Sequence, residues 1–529
     1  MNTGSDIIKD QSILKPTGYE DSWFDLYNQE SGLKDKSIKG GISTTLSQLI
    51  VFIVSTLSTV ILARVLLPSD FGLIAMVAAF SGFVSIFKDL GFSMAIIQKE
   101  KVTHDQVSIL FWFNILLCLF ISLLFVLSAP LIVAFYKEPR LYNIIIAYAV
   151  SIFISSLSVQ HNAILSRRME FNKISLANII SNVLSVVVSI IMALAGSGYW
   201  SLVFLTLSQA LFSTLLLWYY CPWKPKLIFR QKGIKSFIHF GAGISGFNAI
   251  NYCSRNMDNV IIGKFLGTTM LGFYSKAYQL MTMPLTKLRD PLITVGTPAL
   301  SSLLKDPERY RRYYHRLVFI ISFFSFPMTV FLTIFAKELL LTVLGPNWGP
   351  SVLIFQLLSI SALIQPITGM TGAIFISAGK AGQFFRIGLI SSTIVIASFI
   401  IGIHWGVSGV AIAYAIANYL LLLPTLHYCF KDTPIKLGLF FYELSLPALH
   451  TLAFCCLLLG LKYMLSPYLS SVLMLSTAFI ISVPFYYLTW LLHKKGREKI
   501  NDINDLIGIC YNKFATLAKL PKKYSSSKH

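Results

Sequence analysis

Residues 254–278 read SRNMDNVIIGKFLGTTMLGFYSKAY and carry Arg255, Asp258, Lys264 and Lys276 inside otherwise water-averse sequence. Just upstream, Asn248, Asn251, Arg255 and Asp258 recur every three or four residues. At 100° per residue this spacing predicts one polar stripe along a helix. What that stripe faces depends on whether the chain around it is soluble or lies in lipid.

The composition places it in lipid. Of 529 residues, 55% are hydrophobic, 14% aromatic and only 13% charged, and the mean hydropathy is +0.68. A soluble globular chain does not carry this balance. Apolar stretches of roughly twenty residues, the length that spans a hydrocarbon core of about 30 Å, recur from Gly41 to Leu492. Fourteen spans are expected, near 41–66, 70–97, 107–129, 142–164, 174–195, 199–220, 234–263, 270–298, 317–336, 350–377, 385–404, 407–428, 438–461 and 470–492. The fold class is therefore an all-α integral membrane protein of about 14 transmembrane helices. The first forty residues hold Asp6, Asp10, Glu20, Asp21 and Asp25 and no basic-then-apolar leader, so the first span is expected to direct insertion.

A net charge of +21 raises the question of a nucleic-acid partner. The location of the charge argues against one. Alternate loops and the two tails, with Lys235 and Arg386 at the span ends counted among them, hold 33 of the 44 Lys and Arg residues, the opposite loops hold five (Lys137, Arg140, Lys264, Lys337 and Lys462), and six fall deeper within helices. This asymmetry follows the positive-inside rule and predicts an even number of spans with both termini cytoplasmic. Basic loops such as CPWKPKLIFRQKGIK and LLKDPERYRRYYHR then read as topology determinants and head-group contacts.

Chemistry-bearing motifs are few. The seven cysteines form no CxxC pair and the nine histidines lack metal-ligand spacing, so neither a metal nor another cofactor is indicated. No Walker A loop, GxSxG or HExxH occurs, which argues against an enzyme.

The chain repeats itself at an offset of 200. VILARVLLPSDFGLI (Val60–Ile74) lies over VIIGKFLGTTMLGFY (Val260–Tyr274), with Val60, Ile61, Leu66 and Gly72 identical and Arg64 opposite Lys264. KDLGFS (Lys88–Ser93) faces RDPLIT (Arg289–Thr294) with a one-residue slip, and WYYC (Trp218–Cys221) faces LHYC (Leu426–Cys429). A displacement of six spans keeps each copy in one membrane orientation, hence a parallel repeat. The expected organisation is a cytoplasmic tail (1–40), an N-lobe of six helices (41–220), a cytoplasmic connector (221–233), a C-lobe of six helices (234–430), two further helices (431–492) and a cytoplasmic tail (493–529). The lobes would be related by a pseudo-two-fold axis along the membrane normal, with a central cavity opening to either side as they rock.

Each Arg or Asp at a helix centre costs about 2.5–3.5 kcal/mol on insertion scales unless it is paired or hydrated. Helix 7 carries Arg255, Asp258 and Asn251; helix 8 carries Lys276, Gln279, Thr286 and Asp290; helix 2 carries Ser81, Ser85, Lys88 and Asp89. One reading is a wet cationic cavity for an anionic head group, with Asp258 coupling an ion or gating. The other is that Arg255 and Asp258 neutralise each other and hold helix 7 in place. Lys88, Asp89, Arg289 and Asp290, toward the cytoplasmic ends, are candidates for gating or anchoring. Arg64 and Lys264 lie at outer helix ends, where cations commonly anchor.

The stretches ARVLLPSDFGLIAM, DLGFSMAIIQ and, above all, MDNVIIGKFLGTTMLGFYSKAYQLMTMP give the chain from Gly41 to Leu492 a family likeness. It resembles the bacterial polysaccharide-transporter branch of the multidrug/oligosaccharidyl-lipid/polysaccharide flippase superfamily, of the colanic-acid and teichuronic-acid exporter type. The resemblance implies a flippase that moves an undecaprenyl-diphosphate-linked oligosaccharide across the inner membrane by alternating access, ahead of glycan polymerase and export machinery. It also implies head-group binding by basic cavity residues, which maps to Arg255, Lys276 and Arg64. Three rivals remain: a cation-coupled multidrug antiporter of the same superfamily, a membrane-embedded glycosyltransferase or polymerase, and a purely structural scaffold, which would gain nothing from the buried charges. The second expects a large outward loop, whereas YKEPR and LGPNWGP are short.

Overall fold

Backbone polar groups in hydrocarbon must be satisfied within the chain, so a spanning segment without a closed barrel is helical. The computed structural model describes residues 33–99, 102–228 and 234–501, with the side chains of 33–39, 234–251, 254 and 381 outside that description. Among the described residues every regular element is a helix. The chain divides into two compact units, Met1–Ser275 and Lys276–His529.

The first unit contains α1 (Leu33–Val65), α2 (Pro68–Ile86), α3 (Phe92–Gln98), α4 (His104–Leu127), α5 (Ala129–Tyr136), α6 (Leu141–Ser156), α7 (Val159–Arg167), α8 (Phe171–Leu194), α9 (Trp200–Tyr220) and the first part of α10 (Ile234–Ser302). Local chemistry sets the helix starts. Pro68 opens α2, where the Asp70 carboxylate accepts the Leu67 N–H at 3.0 Å, and Thr103 with Gln106 forms a capping box for α4. Polar side chains join α8 to α9: Ser185 donates to Gln209 at 2.7 Å, Gln209 donates to Ser181 at 3.1 Å and Ser189 donates to the Ser201 carbonyl at 2.8 Å. Small hydroxyl residues of this kind let membrane helices approach closely and bond across the contact. A separate core gathers Phe92, Ile96, Phe111, Ile164, Leu217 and Trp223.

The second unit holds the rest of α10, then α11 (Pro307–Ile334), α12 (Ala336–Val343), α13 (Ser351–Ala362), α14 (Gln365–Thr368), α15 (Thr371–Ser377), α16 (Ala381–Gly402), α17 (Gly406–Phe430), α18 (Leu437–Leu465) and α19 (Ser471–Leu491). Tyr314, Phe430 and Phe440 form one aromatic core. Phe323, Phe454, Tyr486 and Trp490 form another, where α11, α18 and α19 meet.

Exposed apolar stripes identify the lipid-facing surfaces. On α4, Leu116, Leu119, Phe120, Leu123 and Leu127 are all exposed at helical spacing, as are Ile412, Ile416, Leu420 and Leu423 on α17. The chain is a multi-pass membrane protein.

The expected count of fourteen spans is not confirmed. Among the described residues ten helices are long and apolar enough to cross, or eleven if the pair 351–362 and 365–377, bent by 43°, is one span. Residues 382–430 count as a single stretch although α16 and α17 are separate helices within it. The long α10 is not among the ten; charged and polar residues lie along both of its arms, from Arg255 and Asp258 to Lys276, Lys287, Arg289 and Asp290.

Two helix boundaries also differ from expectation. The helix expected over 70–97 breaks after Ile86, since Leu90 (φ 42°) and Gly91 (φ 71°) take left-handed backbone before α3. The spans expected at 234–263 and 270–298 are continuous within α10, interrupted by one non-helical residue, Gly267.

Candidate functional site

At about 1.5 Å per residue, a straight helix of the length of α10 would reach roughly 100 Å. It does not run straight. Gly267 adopts φ 79° and ψ −177°, a conformation that side-chain-bearing residues avoid, and the chain folds back there. Tyr274 Oη donates to Asp258 Oδ2 at 3.0 Å, whereas sixteen residues of straight helix would hold the two about 24 Å apart. A Cβ on Gly263 would stand 3.3 Å from Leu271 on the returning arm. The arms are thus packed together with Asp258 fully buried between them.

This fold-back is seated on α2. A Cβ on Gly72 would lie 1.8 Å from the Thr268 carbonyl oxygen, and one on Gly272 would lie 1.9 Å from the Pro68 carbonyl oxygen. Positions 68 and 72 correspond to 268 and 272 at the 200-residue offset. Each of the two matched segments therefore places its glycine on the backbone of the other, a reciprocal contact. Tyr252 extends the contact by donating to the Ala78 carbonyl at 2.8 Å. Lys264 donates to the Phe135 carbonyl, with its ammonium 4.6 Å from the Phe135 ring. Its anchoring role was among the sequence readings, and the geometry gives it specific partners.

The Arg255–Asp258 pair expected from the sequence does not form. The Asp258 carboxylate accepts from Tyr274 and from the Asn259 N–H at 2.7 Å, while the Arg255 side chain is exposed. Turned between the arms, Asp258 is satisfied by neutral donors, and Arg255 faces outward from its unit. Asn248 and Asn251 have side chains outside the described residues. Arg64 lies exposed in the last turn of α1. Lys88 and Asp89 occupy the turn between α2 and α3: the Lys88 ammonium donates to Ser155 at 3.3 Å, and Asp89 accepts from the N–H and hydroxyl of Ser93, capping α3.

In the second unit Lys276 donates to Gln279 at 2.9 Å. Arg289 and Asp290 form an ion pair at 2.7 Å, with Asp290 largely exposed. The Arg289 side chain lies against Gly369, where a Cβ would come within 2.9 Å of it, beside the bend between α13 and α15. Gln365 at that bend donates to the Tyr414 hydroxyl at 3.0 Å. Among the described residues no group of three or more His, Cys, Asp or Glu is placed to hold a metal ion.

Sequence reasoning left Tyr274, Tyr252 and Gln365 without roles. For Tyr274 the signal lay in the sequence: a glycine midway between a buried acid and a hydroxyl, within a stretch too long and too polar to be one span. Pro366 beside Gln365 marked the bend, because a proline within an apolar span interrupts its hydrogen-bond ladder.

Residues 61–353, more than half of the chain and including both halves of the glycine contact, match the family described as polysaccharide biosynthesis protein. The chain is 28% identical over 311 residues to the teichuronic acid biosynthesis protein TuaB of Bacillus subtilis (strain 168), an alignment covering 57% of this chain and 63% of that protein, less than two thirds of its length. It is 22% identical over 432 residues to the lipopolysaccharide biosynthesis protein WzxC of Escherichia coli (strain K12), covering 79% of this chain and 87% of that one. Among solved structures it superposes on the lipid II flippase MurJ in an inward closed conformation with a TM-score of 0.67 and 15% identity, over 86% of this chain and 100% of that one. At that identity the likeness is one of fold.

Proposed function

Because this chain belongs to the polysaccharide biosynthesis protein family, we propose that it is a flippase, a transporter rather than an enzyme. It carries undecaprenyl-diphosphate-linked oligosaccharide repeat units across the bacterial cytoplasmic membrane for assembly of exopolysaccharide, O-antigen or capsule-type polymer. The observation that carries this reading is the family match running through α2 and the fold-back of α10. The TuaB and WzxC names, both of cell-surface polymer biosynthesis, agree with it.

In this reading the sugar-diphosphate head meets Arg255 first. A guanidinium exposed on a membrane-embedded helix binds phosphate bidentately at little conformational cost. Lys276, Gln279, Asn251 and Arg64 are the further candidate head-group contacts, while the polyprenyl tail stays in lipid. Asp258, locked between the arms, couples an ion or gates movement. Lys88 with Asp89, and Arg289 with Asp290, act at turns and bends that change as the two six-helix lobes (41–220 and 234–430) alternate in access. Both termini lie in the cytoplasm, with the basic loops, and the delivered glycan passes to polymerase and export machinery.

The test is the leaflet location of lipid-linked oligosaccharide in cells depleted of the protein, read with a periplasm-restricted glycan probe. Cytoplasmic accumulation reversed by the wild type is expected. Unchanged outward appearance, in a strain lacking any redundant transporter, would remove this reading and favour a cation-coupled drug antiporter, in which the buried Asp258 would serve as the coupling acid.

A further inference from the structure

At the end of the second unit where α18 begins and α19 finishes, a cavity of about 500 Å³ opens beside Tyr442, Glu443, His493, Lys495, Glu498 and Lys499. Its volume falls in the range of small-molecule sites, roughly 300–1,000 Å³. We propose that it binds a phosphoethanolamine group, with the ammonium on Glu498 and the phosphate on Lys495 and His493.

The charge inventory argues for a ligand that carries both signs. Lys499 is already matched, donating to Glu443 at 2.8 Å with its ammonium 5.2 Å from the Phe319 ring. Lys495 donates to the neutral Tyr442 hydroxyl at 2.6 Å and stands over the same ring at 5.3 Å; the Glu498 and Glu443 carboxylates act on its charge from a distance, with no contact ion pair among the described residues. Glu498 has no ion pair among the described residues and is exposed. A simple anion would meet two carboxylates here, and a simple cation two ammoniums. Only a group with separated opposite charges places each against its complement.

The depth of the cavity fits a membrane head group. Tyr442 lies five residues into α18, about 7.5 Å from its start, and the charged residues follow directly on the last apolar turn of α19. This is the level at which hydrocarbon gives way to head groups and where aromatic and basic residues anchor. Phe319 and Leu446 line the apolar side of the cavity, against which the glycerol and first acyl carbons would rest. The framework is rigid: Gly496 packs so closely that a Cβ would stand 2.3 Å from the Trp490 carbonyl oxygen, and Ile500 is buried in the aromatic core.

Phosphoethanolamine occurs on phosphatidylethanolamine and as a free or glycan-borne group, and the test separates these sources. The purified full chain is titrated with phosphatidylethanolamine, phosphatidylglycerol and phosphatidylcholine, and retained lipid is counted by native mass spectrometry. Phosphatidylethanolamine should be held over the other two. Phosphatidylglycerol lacks the cation, and phosphatidylcholine lacks N–H donors for Glu498. Glu498→Gln and Lys495→Gln should each weaken retention about tenfold, the effect of losing one charge-assisted hydrogen bond, whereas Lys495→Arg should retain it. Displacement by soluble phosphoethanolamine would assign the site to the group itself, and retention against it would assign the site to the membrane lipid. Equal retention of phosphatidylglycerol by the wild type, or unchanged phosphatidylethanolamine retention by Glu498→Gln, would overturn the proposal.

Discussion

Tyr274 donates a hydrogen bond to Asp258 across sixteen residues of chain, closing the fold-back at Gly267. Among the described residues no cation bonds the acid: its two oxygens take one phenol and one backbone N–H. A carboxylate buried with neutral partners depends on every one of them, because removing a single donor exposes the full desolvation penalty.

Tyr274→Phe should therefore lower stability by about 1–3 kcal/mol, the range for leaving a buried polar group unmet. In an Asp258→Asn background the same change should matter less, since a neutral amide loses less when its partner goes. Thermal unfolding of the four proteins in detergent gives the double-mutant cycle. Additive effects would mean that this bond does not hold the arms together.

The reciprocal glycines make a sharper claim. Gly72→Ala and Gly272→Ala would each place a methyl carbon within 2 Å of a backbone carbonyl, a contact that no side-chain rotation relieves. Both variants should be lost from the membrane or elute as aggregates in size-exclusion chromatography. Gly388→Ala, with nothing within 4 Å of the added carbon on α16, should behave as wild type or gain the fraction of a kcal/mol, about 0.5–1, that separates alanine from glycine in a helix. Normal yield of Gly272→Ala would show that the two glycine-bearing segments do not meet as described.

How much of this was legible in the sequence follows from what each signal depends on. Apolar length is local, so α4, α8, α18 and α19 lie where the sequence put them, within a few residues. The 200-residue offset was visible through Val60, Ile61, Leu66 and Gly72 and the Arg64–Lys264 match, although only the structure shows that the Gly72 and Gly272 segments touch each other. The fold-back contact was hidden: the Asp258 to Tyr274 spacing carries no period, and its distance is fixed by the backbone angle at Gly267. Helical spacing made Arg255 and Asp258 look like partners, yet the returning arm supplied Asp258 with donors and left Arg255 outside. The run 70–97 remained apolar through Leu90 and Gly91, so hydropathy could not register the left-handed turn that places Lys88 and Asp89 outside a helix.

Lys264 separates anchoring from substrate binding. Its ammonium is held by the Phe135 carbonyl and ring, and Lys462 is held in the second unit in the same manner by the Ile334 carbonyl at 2.6 Å, the Glu338 carboxylate at 3.0 Å and the Phe335 ring. Lys264→Met should reduce thermal stability while transport per molecule stays at the wild-type level. Lys462→Met should be more damaging, because it leaves the buried Glu338 without its cation; the pair is only partly buried, so the loss should be about 1–3 kcal/mol. Loss of transport by a stable Lys264→Met protein would move that lysine from anchor to binding group.

Arg255 and Asp258 are three residues apart and should fail in different ways. An exposed guanidinium can be removed without unfolding the chain, so Arg255→Ala should insert normally and lose transport. Arg255→Lys should recover only part of it, because an ammonium cannot bind a phosphate bidentately. Arg309→Ala, at an exposed pair with Asp306 of 3.2 Å, provides the control, since such surface pairs contribute about 0–1 kcal/mol. For Asp258→Asn the measurement is transport across a pH and sodium series at matched membrane levels. If Asp258 couples an ion, the amide flattens the dependence on that ion while leaving head-group binding intact. If transport and its ion dependence are unchanged, the acid serves only to hold the arms of α10, and the energy for movement must enter elsewhere. A variant that loses binding along with ion dependence would instead place Asp258 and Arg255 in one site, despite the absence of a bond between them.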